Sequence, residues 1–546
     1  MNPTGFTCLQ DTYVDEIRSQ CRLYRHDRTG AEVLSVENQD TNKVFGISFR
    51  TPPNDSTGVA HILEHSVLCG SRKYPLKEPF VELLKGSLQT FLNAMTFPDK
   101  TCYPVASQNT QDFYNLIDVY LDAVFHPRLT ENIFRQEGWH YELASPEDTL
   151  RLKGVVYNEM KGAYSSPDGL LSEYSQQTLF PDTTYGLDSG GNPSQIPELT
   201  FEQFQDFHRT YYHPSNARIF FYGDDDPEKR LRLIDAALEE FSAQQVDSAV
   251  SDQAYWKNPK REERVYAAGP DSENKTMLTL NWLLGAVDDV KANLTLQVLE
   301  DILLGAPGAP LRQALLDSGY GEDVAGAGLE EDLKQMFFST GLKGISPDKA
   351  EEVECLLLQT LQRLADEGLD PEAVQAGLNS VEFEMRENNT GSLPRGLLVM
   401  IRSLSTWLHD EDPLALLQFE APLQSLKDDL ANGRPVFEEC IRRYLLDNPH
   451  RSTLILRPDP ELSQRMEAEE AERRAAARQH LGRDGAGASG STCPPTATGA
   501  GRARSPGGPG PFAAPDTRRS RSPYRAGASI LSGPARGDLP GPRSGL

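Results

Sequence analysis

Residues 60–68 read Ala60-His61-Ile62-Leu63-Glu64-His65-Ser66-Val67-Leu68. On a helix, His61 and His65 stand on one face, near enough to share a metal ion, and Glu64 lies one turn along from His61. The order His-x-x-Glu-His is the inverted form of the zincin signature. The chain holds ten histidines, and this pair alone has the helical i, i+4 spacing.

The flanking sequence mounts this helix on a sheet. Val33-Leu34-Ser35-Val36 and Val44-Phe45-Gly46-Ile47-Ser48-Phe49-Arg50 predict two strands joined at the turn-like Asn38-Gln39-Asp40. Residues 51–58 are loop chemistry, with Ser56 or Thr57 expected to cap the helix and Gly70 to end it. Ile62, Leu63, Val67 and Leu68 occupy several faces, which predicts a helix buried on more than one side and hence a rigid mount. Residues 86–104 give strand-like pieces broken by Asn93, Pro98 and Pro104. Phe113, Leu116, Ile117, Tyr120, Leu121 and Val124 then recur at helical intervals up to Pro127. Further helices are expected over 131–141, 154–162, 201–212 and 228–241, with a strand at 217–222 and a polar linker over 243–255.

From Arg261 the order begins again, and a helix over 436–446 followed by a strand over 450–456 repeats the ending of the first unit. Laying Leu63-Glu64 on Leu299-Glu300 puts Gln297 and Asp301 where His61 and His65 stand. The second copy lacks the imidazoles, so one metal site per chain is expected.

A chain of 546 residues exceeds one ordinary core and predicts two domains and a remainder. The formal charge of −26 argues against nucleic-acid and anionic-membrane partners and suits basic or unfolded peptides. Seven scattered cysteines without a Cys-x-x-Cys pair read as reduced thiols. No apolar run approaches bilayer length, and residues 1–24 have neither a signal core nor a transit character, so a soluble cytoplasmic protein is expected. Residues 461–474 are charged and helical in character. From 475 onward ten Arg stand against three Asp among Gly, Pro, Ala and Ser, which predicts disorder. Two readings of that segment stay open: a basic tail, or a GC-rich gene translated out of frame after about residue 474.

A catalytic zinc takes three protein ligands and keeps one position open. Glu159, 94 residues beyond His65 in a Gly-flanked helical stretch, is the chosen third ligand, although by spacing alone Glu137, Glu142 and Glu147 are nearly its equals. The runs His61 to Pro75 (HILEHSVLCGSRKYP), Thr90 to Ala94 (TFLNA), Thr101 to Ser107 (TCYPVAS) and Gly154 to Ser166 (GVVYNEMKGAYSS) together resemble the presequence protease branch of the pitrilysin and insulysin metallopeptidases. The resemblance covers residues from about 5 to 474. It implies His61, His65 and Glu159 as ligands of one zinc ion and Glu64 as general base. It also implies an α+β fold in which two homologous domains, 1–242 and 256–460, each pack a mixed sheet against helices. Residues 461–474 then begin a helical hairpin and 475–546 form a disordered tail.

Activity on short unfolded peptides follows from the same resemblance. The peptide is expected to add as a strand near Asn93 and Ala94, with Phe91 lining an adjoining apolar pocket. Full-length relatives close a second half over the site, and that half supplies an Arg and Tyr pair for the oxyanion. Nothing after Ala475 resembles it, so weak or no peptidase activity is expected of this chain without a separately supplied C-terminal half. The alternative expectation is an inactive or peptide-binding half-enzyme acting as a partner subunit.

Overall fold

The computed structural model describes residues 5–76, 79–143, 145, 148–270, 272–387 and 391–484. The tail beyond Asp484 and the candidate ligand Glu147 lie outside the described residues.

The first unit opens with strands β1 (Phe6–Val14), β2 (Ser19–His26), β3 (Glu32–Glu37) and β4 (Lys43–Arg50), followed by helix α1 (Val59–Val67) and α2 (Pro79–Gly86). Next come β5 (Gln89–Leu92), β6 (Met95–Thr96), β7 (Lys100–Ser107), α3 (Thr110–Phe125), α4 (Glu131–Glu137), β8 (His140–Glu142), β9 (Arg151–Lys153), α5 (Val155–Ala163) and α6 (Pro167–Leu179). It closes with α7 (Phe201–Tyr211), β10 (Ala217–Gly223) and α8 (Pro227–Ala237). The second unit contains β11 (Lys260–Ala267), β12 (Thr276–Ala286), α9 (Val290–Glu300), α10 (Pro310–Asp317), β13 (Asp323–Glu330), β14 (Gln335–Ile345), α11 (Ala350–Glu367) and α12 (Pro371–Glu387). It ends with α13 (Arg395–Trp407), α14 (Glu420–Ala431), α15 (Val436–Cys440) and β15 (Arg451–Asp459), before the long α16 (Leu462–Asp484).

The duplication is visible in the sheets. The first runs β1-β2-β3-β10-β4-β7-β5 and the second β11-β15-β12-β14-β13. The second order matches the last five strands of the first, and in each the helix-then-strand ending lays its strand parallel to one neighbour (β10 on β3, β15 on β11) and antiparallel to the other. Strands β3 and β4, adjacent in sequence, are therefore parted by β10.

Each sheet is covered by helices of its own unit on one face and by a helix of the other unit on the opposite face. Leu397, Met400, Leu404 and Trp407 of α13 pack on Leu34, Val36, Val44, Phe220 and Tyr222 of the first sheet. Reciprocally, Leu170 and Leu171 of α6 pack on Tyr266, Met277, Leu454 and Leu456 of the second. The α13 contact needs a glycine: a Cβ on Gly396 would lie 2.5 Å from the Tyr222 ring. The polar stretch 243–255 has no regular secondary structure but is tied down, with Ser248, Val250 and Gln253 buried at the junction.

Several sequence expectations are corrected. Pro104 does not break a strand but sits inside β7 opposite Gly46, and its carbonyl accepts Asn93 N–H at 3.2 Å. The helix expected over 131–141 stops at Glu137, and Gly138 turns the chain into β8. The disordered tail expected from 475 begins with a further part of α16: the run Ala475-Ala476-Ala477-Arg478 favours helix, and Arg474 and Arg478 donate to the carbonyls of Leu150 and Asp148. Among the described residues no helix is long and apolar enough to cross a membrane.

Candidate metal centre

All nine residues of α1 are buried, and α4, α7, β6 and β7 surround it. Its N-cap is neither Ser56 nor Thr57 but Gly58, at φ 70°. Asp55 instead takes the backbone N–H and hydroxyl of Thr57, and Ser56 turns its hydroxyl to the backbone N–H of Asp188. A side chain at residue 58 has no room, since its Cβ would lie 2.7 Å from the Gly190 carbonyl oxygen.

That carbonyl defines the chemistry of His61. A carbonyl only accepts, so His61 Nδ1–H donates to Gly190 O at 3.0 Å and Nε2 is left as the lone-pair nitrogen. His65 is held the same way by a different group, its Nδ1 lying 3.3 Å from Glu137 Oε2. Gln136 and Cys69 hold the other Glu137 oxygen. Glu159, on α5, brings Oε2 to 3.8 Å from Nε2 of both histidines. These three ligand atoms lie within 4.8 Å of one another, the one such group of three among the described residues. A tetrahedral zinc with bonds of about 2.05 Å needs ligand atoms roughly 3.3 Å apart, so a small inward movement closes the set.

The donor set fits zinc. His65 Nε2 and Glu64 Oε1 are buried without a hydrogen-bond partner, the state expected of groups facing a cation and its water. Burial drives the His61 imidazole down to about 3, helped by His65 beside it, so it is neutral and able to ligate at ordinary pH. Burial opposes protonation of His65, but the Glu137 hydrogen bond and the carboxylates of Glu64, Glu137 and Glu159 outweigh it and raise the group. Burial lifts Glu64 to about 7, against the pull of His65 and of the Thr96 hydroxyl, which donates to Oε2 at 2.6 Å. A carboxyl in that range suits general acid and base work.

The structure thus brings together His61, Glu64, His65 and Glu159. Of the other candidate ligands, Glu137 orients His65 from behind and Glu142 pairs with Lys153 at 2.5 Å on the β8–β9 ribbon. Asn93 and Ala94, both buried, follow the edge strand β5 and lead into β6, which presents Thr96 to Glu64. Asn93 Oδ1 is buried without a hydrogen-bond partner. Phe91 packs against the cluster under α13, on the sheet face opposite α1. Sequence reasoning missed Thr96, Gly190 and Asp188, which stand in short strand and loop pieces that carry no periodic signal.

The arrangement defines a two-unit α/β protein with, among the described residues, one His-His-Glu centre, in its first unit. Residues 49–160 match the insulinase (peptidase family M16) domain, and residues 198–381 match the peptidase M16 inactive domain. The chain is 53% identical over 475 residues to presequence protease 1, chloroplastic/mitochondrial, of Arabidopsis thaliana, covering 85% of this chain and 44% of that protein. It is 45% identical to protein HypA of Clostridium perfringens, covering 85% of this chain and 48% of the other. A crystal structure of a protease from Helicobacter pylori superimposes with a TM-score of 0.62 at 17% identity, covering 81% of this chain and 100% of that one. The chain belongs to the M16 peptidase family, and it spans about half the length of the curated relatives it matches.

Proposed function

We propose that this chain acts as a zinc-dependent endopeptidase on short, unstructured peptides. The observation that carries this reading is the convergence of His61, His65 and Glu159 beside a buried Glu64 whose Oε1 has no hydrogen-bond partner. Zinc held by those three residues supplies Lewis acidity, which polarises a carbonyl and acidifies water at neutral pH. Glu64 takes the proton of the attacking water on Oε1, while Thr96 keeps Oε2 fixed, and returns it to the leaving amine. The edge strand β5, paired on one side with β7, leads through Asn93 and Ala94 to this carboxylate. An extended peptide added along that edge is held by main-chain bonds that read no sequence, which suits unfolded substrates. The peptidase name of the Arabidopsis relative supports the same activity. That relative is about twice as long; a separately supplied second half is the proposed partner, and peptide binding without turnover is the second reading.

Turnover of an unstructured peptide by the zinc-loaded chain, alone and with a relative's second half, tests this against Glu64→Gln. The variant is expected to keep zinc and lose at least about 100-fold in rate. Equal rates in the two proteins overturn the mechanism, and binding with no turnover under either condition selects the second reading.

A further inference from the structure

Asp188 is 5% exposed and carries no part of the proposed proton transfer, yet both carboxyl oxygens and its backbone N–H bond to segments that carry the metal centre. Oδ1 accepts the backbone N–H groups of Gly190 at 2.9 Å and Gly191 at 3.1 Å. This pins the turn whose Gly190 carbonyl receives His61 Nδ1–H. Oδ2 accepts the Tyr164 hydroxyl at 2.7 Å, and Tyr164 is the C-cap of α5, the helix that carries Glu159. The Asp188 backbone N–H donates to Ser56 Oγ at 3.0 Å, at the entry to α1. The turn is also wedged against α1 sterically, since a Cβ on Gly58 would lie 2.9 Å from Gly191 Cα.

We propose that Asp188 is a positioning residue of the metal centre. Its carboxylate fixes the carbonyl that selects the tautomer of His61, and it ties the same turn to the end of the helix bearing Glu159. Two ligands from segments about a hundred residues apart are thereby held at one distance by a single buried group. Removing it frees the Gly190 carbonyl to rotate, and the His61 Nδ1–H loses its fixed acceptor. The proposal rests on the zinc reading, but its effect on His61 exists without metal.

The test compares Asp188→Ala, Asp188→Asn and Tyr164→Phe in the full chain, reading zinc affinity by competition with a chelator and the His61 tautomer by nitrogen NMR of the metal-free protein. Asp188→Ala is expected to bind zinc 10- to 100-fold more weakly and to lose the single Nδ1–H form of His61. Asp188→Asn keeps an Oδ1 acceptor for both glycines and should stay within about threefold of the parent. Tyr164→Phe, which cuts only the tie to α5, should fall between them with its tautomer intact. A folded Asp188→Ala with parent-like zinc affinity and an unchanged tautomer overturns the proposal. If that variant does not fold, an unchanged zinc affinity in Tyr164→Phe overturns it. A parent chain that binds no zinc defeats the functional reading instead, and the tautomer measurement then decides the role of Asp188 alone.

Discussion

Under the proposed mechanism, Thr96 decides which oxygen of Glu64 is available for chemistry. Its hydroxyl donates to Oε2 at 2.6 Å, and Oε1 is left buried with no hydrogen-bond partner. Thr96→Val keeps the shape and removes the donor. The carboxylate then loses its fixed orientation, a cost of about 1 to 1.5 kcal/mol, or roughly tenfold in rate. Steady-state kinetics should show kcat about tenfold lower with zinc stoichiometry unchanged; a parent-like kcat would refute this orienting role. The same neighbourhood shows what the sequence could tell. His61, Glu64 and His65 were legible because one helical turn puts them together whatever the rest of the chain does. The proposed third ligand was not legible from spacing, since Glu137 and Glu159 are both helical acids beyond His65. What separates them is the path of the chain: α4 delivers Glu137 to Nδ1 of His65, and α5 delivers Glu159 to Nε2. The family resemblance, not the residue pattern, singled out Glu159, whose Oε2 stands 3.8 Å from Nε2 of both histidines.

Helices and strands were legible where their periodicity was strong, as for α3, α7 and β10, and illegible where burial alternates weakly. Strand β1 alternates along its whole length, but between exposed and half-buried, with the apolar Leu9 and Tyr13 on the exposed side, and no prediction covers it. The partner of a helix is harder still to read. The apolar stripe of α13 says that it covers something, but not that it crosses to the sheet of the other unit. The contact is held by fit at Gly396 and by polar bonds: Trp407 Nε1 donates to Glu32 at 2.7 Å, and Arg218 Nε donates to the Trp407 carbonyl at 3.1 Å. Gly396→Val places branched carbon where Tyr222 and Val44 already stand. Overpacking of this kind costs about 1 to 3 kcal/mol. The urea midpoint should fall accordingly, and an unchanged midpoint would show that α13 does not dock this closely.

At the scale of the whole molecule, the exchange of α6 and α13 makes each unit part of the other's core, and His450 sits where they join. Its Nε2–H donates to the carbonyl of Leu179 at the end of α6, at 2.8 Å, and its Nδ1 accepts the backbone N–H of Trp256 at 3.2 Å. The ring is buried and stacks on the Trp256 indole at 3.8 Å. Protonation would place a hydrogen on Nδ1, where Trp256 already points one. Burial, against the hydrogen bond to Leu179, therefore drives the imidazole down from 6.5 to about 4. The unfolded chain binds this proton more readily than the folded one, so stability rises with pH wherever the two differ. The contribution is complete above about pH 6.5, declines as the pH falls toward 4, and amounts to about 3 kcal/mol at most. His61 and His208, also held low by burial, titrate on the same side, so the parent's slope alone does not isolate His450. The difference between the parent and His450→Gln does. The variant should be less stable at pH 7.5, through loss of the Leu179 and Trp256 bonds, and the gap should close as urea unfolding is repeated at pH 6, 5 and 4. A gap that stays constant with pH would mean that His450 is not buried neutral at the junction.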